Sequence, residues 1–143
     1  MICVTLQDLN RYLDLVKQLN RARESLLDLQ EAAVPGAQKL TGMPHTPGVS
    51  DKVGNLAIEI ADTKTAIGEM EQERAAMQTK IEAFITTIPD VELRTIFRLR
   101  YVRILSWDDI EEVFRWRYSK TAIRRRAERY IATLAVKDDA CGT

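Results

Sequence analysis

Ser119-Lys120-Thr121-Ala122-Ile123-Arg124-Arg125-Arg126-Ala127-Glu128-Arg129 is the stretch on which the fold turns. Serine ahead of a periodic segment is a good N-cap, because its hydroxyl accepts from the free amides of the first helical turn. Ile123, Ala127, Tyr130, Ile131 and Leu134 then recur at helical spacing and form one apolar face. At about 100° per residue, Thr121, Arg125 and Arg129 point away from that face, with Lys120, Arg124 and Arg126 on its flanks. A helix with one buried stripe and a cationic outer face suits the DNA major groove. Arginine can donate two bonds to guanine, and lysine and arginine neutralise phosphates. The bland alternative is a solvated surface helix.

The residues just upstream favour the first reading. Ser106-Trp107-Asp108-Asp109-Ile110-Glu111-Glu112-Val113-Phe114 opens on a second serine cap, and Asp108 and Asp109 fill a first turn where they complement the helix dipole. Trp107, Ile110, Val113 and Phe114 are expected to form a short apolar face. Two short helices joined by a tight turn, the second one basic, make a helix-turn-helix pattern. Ahead of them, Pro89 to Val102 reads as a third helix, with proline in its first turn and Val91, Ile96, Leu99 and Val102 facing a small core.

Ile88-Pro89-Asp90, Leu99-Arg100-Tyr101-Val102, Ser106-Trp107-Asp108-Asp109-Ile110 and Tyr118-Ser119, with Ile123 and Arg125, resemble region 4 of sigma-70-type factors. The version they are most similar to belongs to small phage proteins described as sigma-like or late transcriptional regulators. Leu40, Gly42, Pro44, Ser50 and Asp51 match a second element of that family. The resemblance implies a last helix that contacts the promoter −35 element, and a contact with RNA polymerase. By matching position it puts DNA reading on Lys120, Thr121, Arg124 and Arg125. It implies an accessory that touches or recruits polymerase, since the chain has no room for a promoter-melting region. Three departures stand out. Glu111 replaces the family's small residue, the turn before Ser119 is about two residues longer, and Arg126 sits where an apolar residue is usual.

Working outward, Thr5 to about Ala33 reads as one long helix. Its row Leu6, Leu9, Leu13 and Val16 meets Asn20 and Arg23, whereas the adjacent row Leu15, Leu19, Ala22, Leu26 and Leu29 stays apolar. Its buried stripe is therefore wide, or drifts by one row. Ser50 to Ile88 keeps a single seam of Val53, Leu56, Ile60, Thr63, Ile67, Met70, Arg74, Met77, Ile81, Phe84 and Ile88, at the heptad spacing of a coiled coil. Pro35-Gly36, Pro44 and Pro47-Gly48 separate the two helices. The simplest packing is an antiparallel hairpin turning at residues 34–49. Ile81, Phe84 and Ile88 overhang it, free to dock the helix-turn-helix core or a second chain. The same heptads would serve a homodimer.

The formal net charge is zero, but it is unevenly spread: residues 1–87 carry 9 Lys/Arg against 12 Asp/Glu, and residues 88–137 carry 12 against 7. A cationic C-terminal half fits DNA contact confined to one end. No apolar run reaches the roughly 18 residues of a membrane span, and no secretory signal is expected from a start interrupted by Asp8, Arg11 and Asp14. Cys3 and Cys141 read as free thiols of a cytoplasmic protein. Glu59, Asp62, Glu69 and Glu73 share a helix face that could suggest magnesium, yet the face lies on a flank open to water. His45 is the lone histidine, which leaves no dyad, and no phosphate-cradling glycine loop is present.

The expectation is an all-α protein: a long antiparallel helical hairpin over 1–87, a helix-turn-helix module over 88–137, and a tail over 138–143. The expected function is a sequence-specific transcriptional regulator bound to double-stranded DNA, not an enzyme, and needing no cofactor or metal. Ser119, Lys120, Thr121, Arg124, Arg125 and Arg129 would meet the groove or its phosphates, and Arg115 and Arg117 the backbone beside the turn. A phage small terminase subunit, which also joins a helix-turn-helix to coiled-coil oligomerisation, and a coiled-coil adaptor that never touches DNA are the alternatives.

Overall fold

The computed structural model describes residues 4–34 and 48–137. Among them the chain is all-helical, with no strand. Five α-helices follow in order: α1 Leu6–Ala32, α2 Gly48–Thr86, α3 Val91–Phe97, α4 Trp107–Val113 and α5 Lys120–Lys137. A π-helical turn, Arg98–Val102, continues α3. The central part of the Pro/Gly-rich connection, the second family element at Leu40, Gly42 and Pro44, and Cys3, His45 and Cys141 lie outside the described residues.

α1 starts where local chemistry dictates. Asp8 N–H donates to Thr5 Oγ1 at 3.1 Å, and Thr5 N–H donates back to Asp8 Oδ2 at 3.0 Å. This reciprocal pair is a capping box. Val4 and Leu9, the positions that flank such a cap as a hydrophobic staple, are both buried. Further along, Leu15 and Leu19 are buried and Ala22, Leu26 and Leu29 half-buried, while Asn20 and Arg23 are exposed. The stripe therefore drifts onto the second row, one of the two outcomes its pattern allowed. On α2 every described seam position from Leu56 to Met77 is half-buried, and Ile81, Phe84 and Ile88 are buried. Arg74 is held along its own helix, donating to Gln78 Oε1, and Gln78 Nε2 donates to Glu82 Oε1 at 3.2 Å.

The chain divides into two compact units, Met1–Asp14 with Arg74–Thr143, and Leu15–Glu73. In the second, Arg23 on α1 forms an ion pair with Glu71 on α2. In the first, Asp8 on α1 faces Lys80 on α2 at 4.0 Å.

The first unit is built around Phe97, which is fully buried. Its ring meets Phe84 of α2 edge-on at 5.8 Å, Tyr130 of α5 edge-on at 6.1 Å, and Tyr101 of the π turn at 5.7 Å. Phe84 also lies 6.4 Å from Tyr130. The C-terminal end of α2 thus packs against α3 and α5 within this unit. Edge-to-face rings gain from the opposed charge of ring edge and ring face, beyond the area they bury.

Two details of the core differ from expectation. Val91 and Val113 point outward, 66% and 53% exposed. Ile96, Ile110 and Phe114 are buried as expected, and Leu93 and Phe97 join them. Pro89 precedes the helix rather than entering its first turn, because Asp90 is the N-cap and accepts from Glu92 N–H at 3.1 Å. Phe97→Ala should cost about 3–5 kcal/mol in urea denaturation followed by tryptophan fluorescence, and Val91→Ala no more than about 0.5 kcal/mol. Similar losses from both would contradict this core.

Candidate nucleic-acid interface

α4 begins at Ser106, whose Oγ accepts from Asp109 N–H at 3.1 Å. It ends at Phe114, after which Arg115 and Trp116 both adopt left-handed backbone, φ 53° and 63°. Such φ values are uncommon for residues with a Cβ and cost about 1–3 kcal/mol each. Local bonds hold the turn. Arg115 N–H reaches Glu112 O at 2.9 Å, Trp116 N–H reaches Glu111 O at 3.2 Å, and Arg117 N–H reaches Phe114 O at 3.2 Å. Arg117 Nε donates to the same Phe114 oxygen at 3.2 Å, and its guanidinium lies 5.9 Å from the Phe114 and Tyr118 rings. Arg117 is thereby committed to the turn. Trp116 is 67% exposed and does not pack on the core.

α5 then starts under a double cap. Ser119 Oγ accepts from Ala122 N–H at 3.1 Å, and Glu111 Oε2 accepts from Lys120 N–H at 2.6 Å. Glu111, the residue that departs from the sigma-like pattern, thus supplies an acceptor to the next helix, where the dipole favours negative charge. The predicted apolar face is in place: Ile123, Ala127 and Ile131 are buried, Tyr130 and Leu134 half-buried. α5 packs through it against α4 and α3. Burial pushes the Tyr101 and Tyr130 phenols up from their ordinary pKa.

The outer face divides into paired and unpaired cations. Arg126 donates to Glu92 Oε1 and Asp90 Oδ2, and so ties α5 to the start of α3. Glu92 foremost, and Asp90 with it, strengthen the charged form of Arg126. Lys120 Nζ donates to Asp108 Oδ1 at 2.8 Å, and that bond raises its pKa. Arg124 Nε donates to Glu128 Oε1 at 2.9 Å. Among the described residues, the side chains of Arg115, Arg125 and Arg129 are exposed and have no such partner.

Lys120, Thr121, Arg124 and Arg125 line one open groove of about 600 Å³, with Ser106, Trp107 and Arg100 on its other wall. Arg129, Arg115 and Arg117 are not among its lining. Ser119 is exposed and acts as the cap. Sequence reasoning missed Arg100, which lies 4.8 Å over the Trp107 ring and donates from Nη1 to Leu105 O at 2.9 Å. Trp107 is accordingly half-buried at the groove edge rather than part of the core. It also missed Asp108 and Glu128 as partners of the basic helix. The (i, i+4) spacing of Arg124 and Glu128 was a usable signal, whereas Asp108 and Lys120 meet only through the turn.

Among the described residues no group of His, Cys, Asp or Glu is arranged to hold a metal ion, and Glu59, Asp62, Glu69 and Glu73 are exposed. No helix among them is long and apolar enough to cross a membrane. No protein-family model, curated protein or solved structure matches the chain.

The pairing separates a structural arginine from an available one. Arg126→Ala should lower stability by about 1 kcal/mol, the upper range for a half-exposed pair, with two carboxylates left facing each other. Arg125→Ala should stay within about 0.5 kcal/mol in the same urea titration. The reverse order would contradict this assignment.

Proposed function

We propose that the chain is a sequence-specific DNA-binding transcriptional regulator that presents α5 to the major groove. The observation that carries this reading is the outer face of α5. Arg125 and Arg129 stand unpaired and exposed there, beside a groove that Thr121 and Arg124 share. A capped helix of 18 residues, braced on its inner face by an aromatic core, is a rigid carrier for such donors. Arg125 is assigned to base edges, where a bidentate arginine discriminates guanine. Arg129 and Arg115 are assigned to phosphates, where they add affinity without reading sequence. The resemblance to sigma region 4 extends the proposal to a promoter target and a contact with RNA polymerase.

The test is titration of fluorescent duplex fragments of the source genome at two salt concentrations. One preferred fragment should persist at the higher salt, the mark of base reading over phosphate attraction. Arg125→Ala should weaken binding to it by about 1–3 kcal/mol and relax its preference. Arg129→Ala should weaken all fragments alike and flatten the salt dependence by about one phosphate contact. Absence of binding at either salt would remove the regulator reading.

A further inference from the structure

Of the cations that α5 turns outward, Lys120 and Arg124 are already held by carboxylates. Asp108 Oδ1 lies 2.8 Å from Lys120 Nζ, and Glu128 Oε1 lies 2.9 Å from Arg124 Nε. These are the lengths of charge-assisted bonds, the same that phosphate oxygens would make. Both carboxylates line the groove that also holds Thr121 and Arg125. Helix stability is a poor reason for either. The (i, i+4) pair runs from Arg124 to Glu128, basic residue first, which is the less favourable order along a helix. The start of α4 is already capped by Ser106, with Asp109 in the same first turn. Both pairs are partly exposed, so water and salt weaken them and they exchange readily for other anions.

We propose that Asp108 and Glu128 are internal stand-ins for phosphate oxygens and set the specificity of the DNA-reading face. In the free protein they occupy Lys120 and Arg124, and so suppress attraction to duplex DNA of arbitrary sequence. Only a site whose base edges satisfy Arg125 and its neighbours supplies enough to displace them. Non-specific binding depends on the number of phosphates neutralised, so each masked cation removes one from that count. The inference rests on the DNA-binding reading above, and adds that the acids of the interface weaken unselective binding.

The test compares the full chain with Asp108→Asn, Glu128→Gln and the double variant. The probes are a fluorescent duplex of random sequence and the genomic fragment that the wild type prefers. Each neutral variant should bind the random duplex several-fold more tightly. The slope of log affinity against log salt should steepen by about 0.9 for each cation released. The preferred fragment should gain less, so the ratio between the two probes falls. Asp108→Glu and Glu128→Asp keep the charge and should retain wild-type slope and ratio, which separates masking from a packing effect. If the wild type prefers one fragment through Arg125 but the neutral variants leave slope and ratio unchanged, the masking inference alone is overturned. If no version binds any duplex at low salt, the DNA-binding reading falls with it.

Discussion

The burial of Phe97 is the constraint on which the C-terminal half of the chain depends. Its ring is closed in by Phe84 from α2, Tyr101 from the π turn and Tyr130 from α5. Three separate helical pieces are therefore held to one side chain. α3 and α4 are seven residues each and could not persist alone, since the cost of starting a helix outweighs what so few bonds return. They exist because Leu93, Ile96, Ile110 and Phe114 bury alongside Phe97. The end of α2 supplies a wall of that core through Ile81, Phe84, Ile85 and Ile88. The C-terminal part of α2 is in this way in the same compact unit as the basic helix α5.

Orientation of α5 is a more local matter. Arg115 and Trp116 take left-handed backbone at a cost, and the turn they make is repaid by carbonyls of α4 and by the Arg117 guanidinium. Ser119 and Glu111 then satisfy amides that would otherwise stand open at the start of α5. The turn and Glu111 act together: one sets where α5 begins, and the other caps it there.

Electrostatics at this surface is governed by pairing more than by count. The C-terminal half is strongly basic in composition, yet Arg126, Lys120 and Arg124 already have carboxylate partners. Of the arginines on α5 and the turn before it, Arg125, Arg129 and Arg115 have no carboxylate partner among the described residues.

Long-range periodicity made much of the architecture legible. The seam of α2 and the apolar face of α5 follow from spacing alone, because a helix of 18 residues or more repeats its pattern often enough to define a face, whereas spacing left the stripe on α1 either wide or drifting. The caps at Ser106 and Ser119 were legible for a related reason: they act within one turn. Rotation of the short helices was not. Seven residues make barely two turns, so Leu93 and Phe97 could take the buried place expected for Val91 on α3 without breaking the pattern, and Val113 could face out beside Ile110 and Phe114 on α4. Sequence by itself thus determined the all-helical class, the long helices and the buried side of α5, since each depends on neighbours three or four residues apart. Only the tertiary structure decided that Phe84 docks on Phe97, that Arg126 reaches Asp90 and Glu92, and which arginines remain unpaired. Those contacts join residues far apart in the chain, and no local spacing encodes them.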